Sequence, residues 1–416
     1  MIKTSYFIFS LMSMLSLSCN INNPVEKKDE IPLGKWRGVL EIQNQELPFL
    51  FEVKEASGKY IFEIANGEEK IFMDEITFQD DSFTVKFPVF DSELKGKVTD
   101  GEINGFWFNK ARKTHNIIPF RAFHAIEQRF ITSKKPDHNI TGKWEINFYD
   151  PSENKGNFIV QKALGEFTQT NENVTGTIIT PTGDYRYLEG VVDGEVLMLS
   201  CFDGAHAYLF KAGIEDSKIE GDFWSSLHHN EKWQAERNDN FSLPDADTLT
   251  YLKSGFTEID FTFPDLSGKE VSFKDEKFKD KVVIIQVMGS WCPNCLDETI
   301  FLNELYNQYH PQGLEIIALA YEKSSDYNHA KTKVSRLVKR VNASYDFLIA
   351  GTSDKKAASE TLPFLNHVMA FPTTIFVDRK GNVRKIHTGF TGPGTGSYYQ
   401  KFVEQTTVFV EKLLVE

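Results

Sequence analysis

Trp291-Cys292-Pro293-Asn294-Cys295 limits what this chain can fold into more than any other stretch, because of what flanks it. The run Val282 to Met288 before it is apolar and rich in β-branched residues, with the length of a buried strand. After it, Phe301, Leu302, Leu305 and Tyr306 recur at helical spacing between Leu296 and Tyr309. Two cysteines two residues apart therefore lie where a strand ends and a helix begins. Unpaired N–H groups and the helix dipole at such a start favour a thiolate over a thiol, which makes the first cysteine a nucleophile. A Cys-x-x-Cys in that setting reads as a dithiol/disulfide couple. A zinc site would want four ligands at set spacing; the chain has 4 cysteines in all, and no His-x-x-x-His follows the pair. No metal is expected, and a purely structural disulfide is the plainer alternative.

At 416 residues the chain is long enough for two or three domains. Its net charge of −13 and the lack of a basic stripe argue against a nucleic-acid partner. The 35 phenylalanines suit a chain with much β-structure. The N-terminus reads as a targeting signal: Lys3 is its only charge, and the apolar run from Tyr6 to Leu17 is too short to span a membrane stably. Leu15-Ser-Leu-Ser-Cys19 resembles a bacterial lipobox, which implies a lipidated Cys19 after a signal peptide of residues 1–18. An ordinary secretory signal with a coincidental cysteine is the alternative. Residues 19–33 are polar and read as a tether. Either way an exported protein is expected, in a compartment where disulfides persist unless reduced. Cys201 is left over in the run Val196 to Phe202, where a small buried hydrophobe on a strand is expected.

Two β-rich segments precede the redox pair and look related. One opens Gly34-Lys-Trp36 and the other Gly142-Lys-Trp144; late in each come Ile103-Asn-Gly-Phe-Trp107 and Ile219-Glu-Gly-Asp-Phe-Trp224. Alternating runs and turn signals such as Asp100-Gly101 and Asp193-Gly194 lie between. So long a period suggests a duplicated domain rather than a solenoid. Each copy, residues 34–125 and 140–237, is expected to be a small antiparallel barrel or sandwich. Gly-x-Trp opening a strand resembles the start of lipocalin-like barrels. A docking surface or spacer for the redox domain and a scaffold without a ligand are both open readings. The adjacent His228 and His229 suit a solvated turn better than one shared metal. The polar segment 238–250 reads as a linker.

From Ile259 onward the chain resembles the TlpA/ResA-like thiol-disulfide oxidoreductases of the thioredoxin superfamily. The match is carried, in order, by Phe261 to Lys269 as an opening hairpin, Lys281 to Met288, and the Trp-Cys-Pro-Asn-Cys motif. It continues through Leu314 to Ala320 as the next parallel strand, and Phe371-Pro-Thr-Thr-Ile-Phe-Val-Asp378 with its following hairpin. The resemblance implies that residues 251–416 form an α/β thioredoxin fold, a mixed sheet with helices on both faces. It implies an inserted helix at Asp326 to Val341 and a strand at Tyr345 to Ile349. It also implies a cis Phe371–Pro372 bond that exposes backbone groups to an extended substrate beside the disulfide.

Cys292 is then the nucleophile and Cys295 the resolving thiol, with Trp291, Phe371 and Pro372 contacting substrate. Where thioredoxin has a buried aspartate this chain has Gln286, which cannot take a proton. The resemblance offers Glu298 as the carboxylate serving Cys295; an exposed first-turn acid is the alternative. Ile300 stands where the family commonly has proline. The function expected is that of a lipid-anchored enzyme of the cell envelope, facing the periplasm from the outer or inner membrane. It would reduce disulfides of exported proteins with electrons from a membrane protein. No nicotinamide or flavin fingerprint appears, so the cysteine pair is the only cofactor expected. Alternatives are a disulfide oxidant or isomerase, a peroxiredoxin-like peroxidase, or a binding lipoprotein with an ancillary thioredoxin domain.

Overall fold

The computed structural model describes residues 31–149, 159–256 and 258–416. The signal segment, Cys19 and the tether up to residue 30 lie outside the described residues.

Two nine-stranded antiparallel sheets, both barrel-like, fill the N-terminal part. In each, most chain neighbours pair as hairpins and the last strand returns to the first. In the first sheet Ile117–His124 pairs with Gly34–Ile42, setting Trp36 opposite His124. In the second, His229–Arg237 pairs with Gly142–Tyr149, setting Trp144 opposite Arg237. The two tryptophans also make the same local bond: Trp36 Nε1 donates to Pro32 O at 3.0 Å, and Trp144 Nε1 to Ile140 O at 2.9 Å. The shared late glycines have a steric cause. A Cβ on Gly105 would lie 1.9 Å from Lys95 O, and one on Gly221 would lie 2.0 Å from Lys211 O. Only glycine lets neighbouring strands approach there.

The sheets differ in closure. Ile159–Thr170 pairs with both Gly142–Tyr149 and Asn173–Thr180, so the second sheet closes into a ring, with the short Gly183–Asp184 strand left at its rim. In the first, the consecutive strands Glu69–Met73 and Glu75–Gln79 sit at opposite edges and do not pair. The closed barrel holds its own core around Trp144, Phe148, Phe210 and Trp233. Cys201 is buried there, on Val196–Phe202, and burial pushes its thiol well above the usual value. The open sheet instead shares one continuous apolar core with the C-terminal region.

The C-terminal region is thioredoxin-like. Its five strands run Asp346–Thr352, Leu314–Glu322, Val282–Met288, Thr373–Val377 and Val383–Thr388 across the sheet. The first three are parallel, and the last two antiparallel to their neighbours. Val282–Met288 is buried at every position, as a central strand covered on both sides must be. Four helices follow: α1 (Pro293–Tyr309), α2 (Tyr327–Val341), α3 (Lys355–Thr361) and α4 (Ser397–Val415). α1 packs on Leu314–Glu322 and touches α2, while α4 packs on the central strand. α1 starts three residues before the apolar spacing suggests, because Pro293 takes its first position and Cys292 caps it. α2 starts at Tyr327 because Asp326 is its cap, its side chain accepting from His329 N; Ala330, Val334 and Leu337 are buried. Helix α1 continues unbroken past Ile300. The segment 238–250 is tied down at both ends, by Asn238 N to Lys143 O and by the Asp247 carboxylate 2.7 Å from His387 Nδ1.

Polar contacts fasten the sheets to the thioredoxin-like region. Arg186, on the closed barrel, is buried and ion-paired with Asp297 of α1 and with Glu69 of the open sheet, with Asp203 at 3.6 Å. Burial alone would push its guanidinium down, but Asp297, Glu69, Asp203 and Asp184 together hold it well above the usual arginine value. Lys333 of α2 pairs with Asp91 at 2.8 Å, and Arg336 donates to the carbonyls of Phe87 and Pro88.

Candidate active site

Cys292 caps α1 with an extended backbone (φ −103°, ψ 115°), and its Sγ accepts from Cys295 N at 3.2 Å. Cys292 is 7% exposed and Cys295 is fully buried. Burial, then the hydrogen bond and charge of Cys292, push the Cys295 thiol well above its usual value. On the opposite side the Phe371–Pro372 bond is cis, and the thiol of Cys292 donates to Phe371 O at 3.4 Å.

Glu298 lies one turn after Cys295 and is fully buried, not an exposed first-turn acid. Its Oε1 accepts from Thr374 Oγ1 at 2.6 Å and its Oε2 from Gln286 Nε2 at 2.8 Å. Neutral donors only partly offset burial, so its pKa is raised to about 7. Gln286 Nε2 also reaches Cys295 O at 3.4 Å, so one amide bridges the resolving cysteine's backbone and the carboxyl. Trp291 is anchored through Nε1 to Tyr321 O at 2.9 Å, stands edge-on to Phe371 with centroids 5.7 Å apart, and carries Lys323 Nζ 3.6 Å above its ring. Cys292, Cys295, Glu298, Trp291, Phe371 and Pro372 are thus one cluster. No group of three or more His, Cys, Asp or Glu side chains among the described residues is placed to hold a metal.

The other side of the site is built by residues that no sequence pattern marked. Asn294, inside the cysteine motif, donates to Asp184 Oδ2 and to Phe390 O, both at 3.3 Å; Gly392 N donates to the same carboxylate oxygen at 2.8 Å. The rim hairpin of the closed barrel is therefore seated on the start of α1. A cavity of about 330 Å³ opens between the barrel mouth and Cys292, lined on the barrel side by Tyr185, Tyr208, Phe223, His229 and Glu231. His228 lies in an exposed turn, whereas His229 begins the last strand and meets Glu231 Oε1 at 3.1 Å. The turn expected for the His228–His229 pair thus holds for His228 only, and Tyr185, Tyr208 and Phe223 drew no notice because aromatic residues in a β-rich chain are ordinarily core.

Fold and site together define a thiol-disulfide oxidoreductase of thioredoxin type. Residues 253–401 match the Redoxin family. The chain is 31% identical over 140 residues to the thiol-disulfide oxidoreductase ResA of Geobacillus thermodenitrificans, covering 34% of this chain and 72% of that protein. It is 30% identical over 142 residues to ResA of Halalkalibacterium halodurans, covering 33% of this chain and 69% of that one. A solved thiol:disulfide interchange protein of the thioredoxin family from Chlorobium tepidum aligns over 38% of this chain and 95% of its own, at 18% identity and a TM-score of 0.30. The chain belongs to the TlpA/ResA-like thiol-disulfide oxidoreductases of the thioredoxin superfamily.

Proposed function

We propose that this enzyme is exported, anchored by lipid at Cys19, and acts as a reductase of disulfides in exported proteins, recharged by a membrane protein that carries electrons. Cys292 attacks the substrate disulfide, and the leaving sulfur takes up a proton. Cys295 then attacks Cys292 Sγ, which releases the second substrate thiol and leaves the Cys292–Cys295 disulfide. Glu298 takes the proton of Cys295 as that thiol becomes a nucleophile; a carboxyl titrating at about 7 suits that exchange near neutrality. The carbonyl of Phe371, which accepts from the Cys292 thiol, would offer an extended substrate chain a backbone acceptor once Cys292 has reacted.

The observation that carries the reading is the geometry of the pair: Cys292 caps α1 beside the Phe371 carbonyl, with Cys295 fully buried behind it. Among the described residues no helix is long and apolar enough to cross a membrane. The test is to incubate reduced Cys295→Ser protein with an unfolded, disulfide-bearing protein. A trapped mixed disulfide through Cys292 is expected. No adduct, with wild type equally unable to produce free thiols, would overturn the reading. Substituting Cys19 by Ser should release the protein from the membrane fraction.

A further inference from the structure

Trp291 and His206 line not only the cavity at Cys292 but also a second one, of about 400 Å³, on their other side. All three parts of the molecule build it. Arg112 and Lys113 come from the open sheet, His206 from the closed barrel, and Lys323 from the thioredoxin-like region. Several of its other charges are already matched, while Lys113 is exposed and has no ion pair among the described residues. Lys333 pairs with Asp91, and Lys110 pairs with Glu93 at 2.7 Å. Glu322 accepts from Ser290 N at 2.7 Å and Ser290 Oγ at 2.8 Å; burial pushes its carboxyl up, while those bonds and the Lys323 charge act in the opposite sense.

Arg112 and Lys323 are different. Among the described residues neither has an ion-pair partner, and the buried Nε of Arg112 has no hydrogen bond. Burial, then the nearby Arg112 guanidinium, push the Lys323 ammonium down, with Cys292 and Glu322 acting in the opposite sense. Arg112 keeps a buried Nε without a partner, and Lys323, exposed and resting on the Trp291 ring, lines the same cavity; a buried guanidinium nitrogen left unpaired is costly in the empty protein. An anion entering the cavity would relieve that cost. The chain as a whole carries −13, so any attraction for anions here is local to this cavity.

We propose that this cavity is the anion subsite of the dithiol, seating a carboxylate carried close to the disulfide that Cys292 attacks. The assignment rests on the reductase activity proposed above and deepens it by naming the substrate class. Two sources share the chemistry: a low-molecular-mass disulfide bearing carboxylates, or an acidic residue beside the cysteine of an extended protein chain. In either case the dithiol gives up two electrons and two protons, the substrate S–S bond breaks into two thiols, and the Cys292–Cys295 bond forms.

The test compares second-order rates of the reduced full-length protein with oxidised glutathione (anionic), hydroxyethyl disulfide (neutral) and cystamine (cationic). A second arm uses extended peptides with one mixed disulfide flanked by Asp or by Lys. Wild type is expected to favour the anionic over the neutral disulfide by about tenfold, and the neutral over the cationic. In the double variant Arg112→Gln, Lys323→Gln that anionic-to-neutral ratio should fall to about one. The ratio within each variant cancels any change in folding or in Cys292 itself. Discrimination confined to glutathione supports the small-molecule source, and discrimination between the peptides supports the protein chain. A wild-type ratio at or below one, or a ratio that survives in the double variant, overturns the subsite while leaving the reductase in place. Failure of wild type to reduce even the neutral disulfide would remove the reductase and the subsite together.

Discussion

Cys292 looks onto two walls of different origin. On the thioredoxin side stand the Phe371 carbonyl and the Trp291 ring, with Glu298 buried behind among Gln286 and Thr374. These residues come from two short stretches, and they are held by the central strands that flank them. On the barrel side stand Tyr185, Tyr208 and Phe223, with the His229–Glu231 pair. They come from strands spread over the closed barrel, and they reach the site because the rim hairpin is seated on α1 and Arg186 locks the barrel to Asp297. In the proposed mechanism the first wall supplies the groups that move electrons and protons, and the second faces the approaching substrate. The second is held by polar contacts to α1 and by packing of Phe202 and Leu209 into the core shared with the open sheet and the thioredoxin-like region.

The sharpest way to separate the walls is to serine-substitute two buried cysteines. Cys292→Ser should remove turnover by more than about a thousandfold with little change in stability, because it deletes the nucleophile. Cys201→Ser buries a hydroxyl in the closed barrel's core and should cost about 1–3 kcal/mol by urea unfolding while turnover persists. Equal loss of turnover in both would break the distinction.

Arg186→Met tests what holds the second wall in place. It leaves the Asp297 and Glu69 carboxylates without their buried counter-charge, so a loss of about 3–5 kcal/mol is expected in urea unfolding. Limited proteolysis should then cut between the barrel and the thioredoxin-like region. Unchanged stability would mean that the barrel is held by other contacts.

Glu298 belongs to the first wall and makes a pH signature. Its folded pKa, about 7, lies above the ordinary 4.5, so the folded state holds the proton more tightly than the unfolded chain. Stability from this group is therefore greatest at low pH and falls as pH rises from about 4.5 through about 7, by roughly 3 kcal/mol in all. Glu298→Gln should flatten that slope in unfolding titrations and slow release of the mixed disulfide by about ten- to a hundredfold. A slope that persists in Glu298→Gln would assign it to another group.

The smallest effect concerns the two sheets alone. Trp36→Phe and Trp144→Phe each delete one indole donor to a carbonyl four residues earlier, and each should cost about 1–2 kcal/mol. A large difference between them would mean that the shared opening is not equivalent in the open and the closed sheet.

The thioredoxin wall was legible because its chemistry is local. Strand, motif and helix are consecutive, and Glu298 follows Cys295 by one helical turn. The β-rich half was legible as two related units through Gly-Lys-Trp and the late glycine motifs, each tied to a backbone contact. Closure was not legible. It depends on Asn173–Thr180 pairing with both Ile159–Thr170 and Leu188–Asp193, where the open sheet leaves Glu69–Met73 and Glu75–Gln79 as edges, a pairing that alternation alone does not fix. The barrel wall was hardly legible: Asp184 and Arg186 are ordinary surface residue types until the fold brings them to α1, and His229, expected in a solvated turn, opens the last strand of the barrel instead.

The most direct measurement is the equilibrium redox potential of the Cys292–Cys295 couple, titrated in thiol/disulfide buffers on the full chain. A potential below roughly −220 mV, in the range of thioredoxins and glutaredoxins, is the result expected of a reductase. A potential near about −120 mV would make the enzyme an oxidant and contradict it.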